Sequence, residues 1–251
     1  MLILRSTLYA LGMWLATLVY LPLIPVALVL PERPRVWLIA RWAHAMTAWL
    51  ELTCGLRCEV EGEENIPPSN CIVMCNHQSA WETLYLQLVF HDPAWVLKRE
   101  LLWVPVFGWG LALTRPIAID RKAGRKAMQQ VLTQGRARLD AGRWVVIFPE
   151  GTRVAPGVRK PFNIGGAMLA AKSGYPVIPV AHNAGEYWPR RGFLKKPGTI
   201  RLVIGPVIET AGRGTADINR DAESWIRSTM ARISTLPADA AETKAGTADS
   251  R

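Results

Sequence analysis

From Ser6 to Leu30 the chain carries no charged residue, and this stretch limits the fold before any motif is considered. A run so apolar meets lipid only if its own backbone satisfies its N–H and C=O groups, which restricts it to helix. As one helix it would be about 37 Å long, enough to cross a bilayer core. Pro22 and Pro25 lie past its middle, where proline kinks or ends a helix. The segment therefore spans, or dips in and turns back near Pro31-Glu32-Arg33-Pro34. A second arm, Val36 to Thr53, sets Arg41, His44 and Glu51 among Trp37, Trp42 and Trp49, a mixture that suits an interfacial amphipathic helix. A cleaved signal peptide is the alternative, but the run exceeds the usual length and no A-x-A site closes it. Arg5 lies on one flank and Arg33, Arg35 and Arg41 on the other, so the charge rule assigns no orientation. A shallow hairpin would leave both flanks on one face.

Beyond this anchor about 200 residues remain, half of them apolar over the whole chain, which is enough for one globular core. The net charge of +10 and pI near 9.8 favour a polyanionic partner, either nucleic acid or an anionic leaflet. Eleven tryptophans, several beside the early apolar runs, favour the membrane, because indole rings prefer the headgroup boundary. Cys54/Cys58 and Cys71/Cys75 form C-x3-C spacings that match no common zinc or redox motif and read as structural thiols. In a strand, Cys71 and Cys75 would stand about 13 Å apart, too far for a disulfide or for a shared metal with His77. Nothing in them requires an oxidising compartment, which fits an active site facing the cytoplasm.

From Leu56 the pattern becomes α/β. Leu56 to Val60, Cys71 to Cys75, Ala94 to Lys98, Pro116 to Asp120, Trp144 to Phe148, Pro176 to Ala181 and Ile200 to Ile204 read as strands. Helices are predicted from Ser79 to about Phe90, Arg121 to Ala141 and Asn163 to Ser173, with a last one marked by Ile218, Ala222, Trp225, Ile226 and Ile233. Leu101 to Leu113 is strongly apolar and reads either as a lipid-facing wall or as core. Residues 237–251 are polar and Ala-rich without periodicity, as in a disordered tail. The expected organisation is an N-terminal membrane-associated helical hairpin (1–54), a mixed central sheet flanked by helices (55–236), and the tail.

The chemistry concentrates at strand ends. The run Cys71-Ile72-Val73-Met74-Cys75 closes abruptly at Asn76-His77, delivering a histidine to a sheet edge, where crevices of α/β folds lie. Glu82, five residues on, can fix the imidazole tautomer and stabilise the imidazolium, so the two read as a general base with its orienter. Ser79-Ala80-Trp81-Glu82 is also a capping box, which is the structural reading of Glu82. After the strand ending at Phe148 stands Pro149-Glu150-Gly151-Thr152-Arg153. Gly151 lets backbone approach an anion, Thr152 can donate, and Arg153 offers a fork that matches phosphate. Its bland alternative is a solvated turn with a surface arginine. Lys98 and Arg121 end further strands and fit the same work, the alternative for a charge at a strand end being a solvated boundary. His44, His91 and His182 read as satisfied or surface histidines. Walker, G-x-G-x-x-G and G-x-S-x-G patterns are absent, which disfavours nucleotide hydrolysis, dinucleotide binding and a serine hydrolase.

Asn76 to Thr83 resembles the H-x4-D motif of the 1-acyl-glycerol-3-phosphate acyltransferase family, with Glu82 in place of the usual Asp. The Phe-Pro-Glu-Gly-Thr-Arg string is similar to that family's substrate-binding block, and Lys98-Arg99-Glu100-Leu101, Ile117 to Arg121 and Lys160 to Ala167 look like further blocks. The likeness covers roughly Asn65 to Pro206. It implies a membrane-bound O-acyltransferase in which His77 and Glu82 are catalytic. Arg121, Glu150, Gly151, Thr152, Arg153 and Lys98 would bind substrate, with the arginines on the glycerol phosphate. The acceptor implied is lysophosphatidic acid, the donor acyl-CoA or acyl carrier protein and the product phosphatidic acid. Anionic lipids would surround the enzyme, and neither metal nor organic cofactor nor nucleic acid would be needed. A lyso-ornithine lipid as acceptor, or a non-catalytic basic protein docking on membranes or nucleic acid, are the competing readings.

Overall fold

A computed structural model describes residues 1–236, and the tail expected over 237–251 lies outside them. Helix α1 (Leu2–Tyr20) ends where Pro22 can no longer donate, and its last amide bond runs from Leu21 to the Thr17 carbonyl at 2.9 Å. Helix α2 (Leu23–Val29) holds Pro25 in its first turn. Helix α3 (Glu32–Cys54) likewise holds Pro34. A first-turn proline sacrifices no intrahelical bond. That is why α3 begins four residues before the expected Val36.

Helices α1 and α3 run antiparallel. Trp49 Nε1 donates to the Leu8 carbonyl at 3.3 Å, and the Cys54 thiol points to the Arg5 carbonyl at 3.6 Å. The helices close on Gly12, where a Cβ would stand 2.0 Å from the Trp49 ring. Leu4, Leu11, Trp14, Leu15, Leu18 and Val19 stay exposed on α1. By length and composition α1 could cross a membrane, with 11% of its apolar window buried.

Gly55, left-handed at φ 64°, caps α3 and turns the chain into β1 (Leu56–Glu61). There follow β2 (Ile72–Cys75), α4 (Trp81–Val89), β3 (Ala94–Lys98), α5 (Phe107–Leu113), β4 (Ile117–Ile119), α6 (Arg125–Asp140) and β5 (Val145–Ile147). Next come α7 (Gly165–Ser173), β6 (Val177–His182), α8 (Ala184–Tyr187), β7 (Gly198–Ile204) and α9 (Thr215–Ile233). The strands form one mixed sheet in the order β1-β7-β6-β2-β5-β3-β4. β6, β2, β5, β3 and β4 are mutually parallel, while β7 is antiparallel to β6 and parallel to β1.

Alternation along the strands divides the core into two layers. Cys71, Val73, Cys75, Val146 and Ile178 pack beneath α1, α3 and α4 with Tyr9, Leu50, Trp81 and Leu86. Ile72, Met74, Val145, Ile147 and Val177 pack beneath α6, α7 and α9 with Val131, Leu169, Ile218 and Ile226. Each fully buried Leu or Ile stabilises the fold by roughly 1.5–3 kcal/mol. The apolar stretch after β3 is divided: Leu113 is buried and Leu102 and Leu111 pack against the core, whereas Trp103, Phe107 and Trp109 are at least half exposed. Its helix α5 packs against α2.

Parallel strands place their C-terminal ends on one edge. The chain leaves β2 for β3 on one side and later reaches β6 on the other, so the topological switch point, where crevices of such sheets lie, falls at the end of β2. His77, Lys98, Arg121, Glu150 and Arg153 all stand on this edge.

Candidate active site

His77 follows β2 directly, and its ring is held on two sides. Nδ1 lies 2.7 Å from Glu82 Oε1, and the ring stacks on Phe148 at 4.0 Å and 12°. Nδ1 is committed to the carboxylate, so Nε2 is left to the crevice. The side chain is 15% exposed, enough to meet a substrate while staying fixed.

Glu82 is fully buried at the start of α4, and the same oxygen that meets His77 also accepts the Gln78 and Ser79 amides at 3.0 and 2.8 Å. The capping and orienting readings are therefore not alternatives, because one oxygen does both. Ser79 in turn accepts the Trp81 amide at 3.2 Å, which starts the helix two residues later than expected. Residues five apart on a helix would diverge, but His77 lies off the helix in the loop and can face Glu82. Burial works against ionisation of Glu82; His182, His77 and the Ser79 amide outweigh it and hold the carboxyl below its usual range.

The β5 loop grips the backbone of His77. Glu150 Oε1 accepts the His77 amide at 3.3 Å, and the Val154 amide donates to the His77 carbonyl at 2.7 Å. Among the described residues Glu150 Oε2 has no hydrogen-bond partner, and burial pushes this carboxyl up to about 7. Lys160 Nζ donates to the Glu150 carbonyl at 2.6 Å, and the Asn163 side chain donates to that of Pro149 at 2.8 Å. Asn163 thus serves the loop, and α7 begins at Gly165. Gly151 sits at φ 68°, which favours glycine, and its carbonyl accepts from Arg121 Nη1.

Arg121 can reach Gly151 because it is not in the long helix that sequence periodicity extends through it. Asp120 accepts the Lys122 amide at 3.0 Å, residues 121–123 form a single 3₁₀ turn, and Gly124 at φ 50° breaks the chain before α6. Burial depresses the Arg121 guanidinium, and Glu100 partly restores it. Arg153 is also depressed by burial, with Glu82 opposing, and its buried Nε has no hydrogen-bond partner among the described residues. Thr152 is half-buried on the same turn. Lys98 stands at the edge too, but its ammonium lies 3.7 Å from Glu100.

His182, read from sequence as a satisfied or surface histidine, is fully buried and satisfied. Its Nδ1 accepts the Ala184 amide at 3.2 Å, so Nε2 carries the proton and donates to the Asn76 carbonyl at 3.0 Å. Nε2 also lies 3.8 Å from Glu82 Oε2. Asn76 returns the contact through both ends of its amide, accepting from the His182 N–H and donating to its carbonyl, each at 2.9 Å. The sequence held a signal: β2 and β6, adjacent in the sheet, both close on a His–Asn pair, Asn76-His77 and His182-Asn183. All four cysteines are free, and burial raises the thiols of Cys71 and Cys75.

The arrangement can take a proton at Nε2 and hold the resulting imidazolium against a buried anion. It can also receive an anionic group beside two arginines. A family model described as Acyltransferase matches residues 57–183, a span that includes both motif loops. The chain is 47% identical over 216 residues to the 1-acyl-sn-glycerol-3-phosphate acyltransferase of Pseudomonas aeruginosa, covering 84% of each protein. To the mouse 1-acyl-sn-glycerol-3-phosphate acyltransferase alpha it is 32% identical over 183 residues, 71% of this chain and 64% of that one. The crystal structure of the 1-acyl-sn-glycerophosphate (LPA) acyltransferase PlsC from Thermotoga maritima shares the fold with a TM-score of 0.77. The match covers 95% of this chain and all of that one at 23% identity. The family-model match and the 47% identity show that the chain belongs to the 1-acyl-sn-glycerol-3-phosphate acyltransferase family, O-acyltransferases of phospholipid biosynthesis.

Proposed function

We propose that this enzyme transfers an acyl chain from the thioester of acyl-CoA or acyl carrier protein to the free hydroxyl of a 1-acyl-glycerol-3-phosphate, giving phosphatidic acid. The observation that carries the reading is the 2.7 Å contact between His77 Nδ1 and a fully buried Glu82, with Nε2 left to the crevice. Nε2 takes the hydroxyl proton as the oxygen attacks the thioester carbonyl, and the C–S bond breaks as the tetrahedral intermediate collapses. The departing thiolate recovers the proton from the imidazolium. No acyl-enzyme forms, and the proton and leaving group are handled without metal or organic cofactor. Arg121 and Arg153 bind the phosphate and turn proximity into rate. Glu150, Gly151 and Thr152 shape the turn that presents Arg153, and Lys98 lies at the rim.

The exposed apolar face of α1 holds the crevice at an anionic membrane surface on the cytoplasmic side, and the basic charge serves lipid phosphates rather than nucleic acid. Thiol release measured over a panel of lysolipid acceptors tests the reading. Release is expected with lysophosphatidate, and His77→Ala should lose roughly 10²–10⁴-fold in turnover with membrane binding unchanged. Thiol release that needs a different lysolipid would reassign the acceptor. Release with none, or near-normal turnover by the purified variant, would overturn the mechanism.

A further inference from the structure

Between Glu186 and Glu209 the chain has no acidic residue, and it there contains Pro189-Arg190-Arg191-Gly192-Phe193-Leu194-Lys195-Lys196, a segment the proposed chemistry leaves unused. The segment is built as a tight turn. Gly192 donates to the Pro189 carbonyl at 2.9 Å, Arg191 is left-handed at φ 58°, and a Cβ on Gly192 would meet Pro189 Cγ at 2.8 Å. Phe193 and Leu194 are displayed at the tip, 51% and 41% exposed, with Arg190, Arg191 and Lys196 exposed around them.

Lys195 faces inward and pins the turn to the N-terminal helix. Its amide donates to Ser6 Oγ at 3.0 Å, and its ammonium donates to the Phe193 carbonyl at 2.7 Å. That ammonium lies 4.8 to 5.2 Å from the ring centres of Trp188, Tyr9 and Phe193. At its other end the segment reaches the active site, where Arg190 Nη1 donates to the Arg153 carbonyl at 3.1 Å.

We propose that residues 189–196 form a second membrane contact, in which Phe193 and Leu194 enter the lipid boundary and Arg190, Arg191 and Lys196 engage anionic phospholipid headgroups. The inference rests on the membrane-bound reading of the enzyme. Three observations choose a bilayer over a protein partner: an apolar tip within a ring of cations matches an anionic interface; the turn is continuous with α1, whose first turns expose Ile3 and Leu4; and Arg190 ties the contact to the loop that presents Arg153. The turn would hold the crevice mouth against the surface from which a phosphate-bearing lipid enters.

The test uses the full-length enzyme in vesicles of phosphatidylcholine with and without phosphatidylglycerol. Phe193→Cys, in a Cys58→Ser background that leaves three buried thiols, carries an environment-sensitive fluorophore. Leu15→Cys, on the exposed face of α1, carries it in a parallel sample. With phosphatidylglycerol present, the label at 193 should be shielded from iodide and quenched by spin-labelled lipid. A label at 193 that stays in water while the one at 15 lies in lipid overturns the loop contact and leaves the membrane reading standing. Labels in water at both positions overturn both. Independently, Arg191→Glu with Lys196→Glu should raise KM for vesicle-borne lysophosphatidate by about tenfold or more, while kcat on a short-chain soluble acceptor is unchanged. An unchanged KM refutes the contact.

Discussion

Glu82→Gln separates charge from hydrogen bonding at the centre of the site. In the native enzyme one oxygen accepts from His77 Nδ1 at 2.7 Å, from Ser79 at 2.8 Å and from Gln78 at 3.0 Å. A glutamine carbonyl in that place could still accept all three, so the local cap survives. The second oxygen, which the Ser79 amide reaches at 3.1 Å, would become an NH₂, at a cost of about 1 kcal/mol. The anion is lost altogether. A full charge pair at this distance is worth about 6 kcal/mol at an effective dielectric near 20. The imidazolium is only partly formed in the transition state and the amide dipole retains some attraction, so about 3–5 kcal/mol should go, roughly 10²–10⁴-fold in kcat. If the amide instead turns its NH₂ toward His77, Nδ1 must accept, the proton moves to Nε2, and the base is lost by tautomer. Both orientations lead to the same assay result. Thiol release at saturating substrate should fall by that factor while the melting temperature moves by a few degrees. Glu82→Asp keeps the charge on an arm about 1.5 Å shorter and should fall between wild type and Gln. A Gln variant with wild-type turnover would remove Glu82 from catalysis and leave it as a helix cap.

Glu150 should make stability fall with pH. Its folded pKa of about 7 lies above the unfolded value of 4.5, so the stability it contributes is complete below about 4.5 and lost as pH rises through 7. Denaturant titrations from pH 5 to 8 should show wild type losing about 2–3 kcal/mol that Glu150→Gln retains; parallel curves would refute this. Arg153→Ala should lose activity on lysophosphatidate far more than on a lysolipid without a phosphomonoester, and equal losses would count against phosphate binding there. His182→Gln keeps a donor for the Asn76 carbonyl but removes the imidazole beside Glu82. It should cost about tenfold in kcat with little change in KM and move the acid limb of the pH profile upward, since Glu82 loses a group that holds its pKa down. A profile identical to wild type would make His182 purely structural.

What the sequence determined by itself is what short-range physics encodes. An apolar run stopped by Asn76-His77 is a strand with a histidine at its end, whatever the rest of the chain does. Gly151 and Arg153 are suited to an anion by residue type alone, and the uncharged stretch to Leu30 must be helical wherever it meets lipid. Elements with a strong period and a cap were legible to within a few residues. Boundaries moved where a local device prevailed over the period: Pro34 entering the first turn of α3, Gly124 splitting Arg121 from α6, and Asn163 diverted to Pro149. The tertiary structure alone decided which loops meet. His77 and Glu150 are brought together because β2 and β5 are neighbours, and His182 reaches Asn76 and Glu82 because β6 is the other neighbour of β2. Strand order depends on the packing of whole helices over the sheet. No residue in any one segment specifies its partner across the crevice, so these contacts could be seen only once the sheet had assembled.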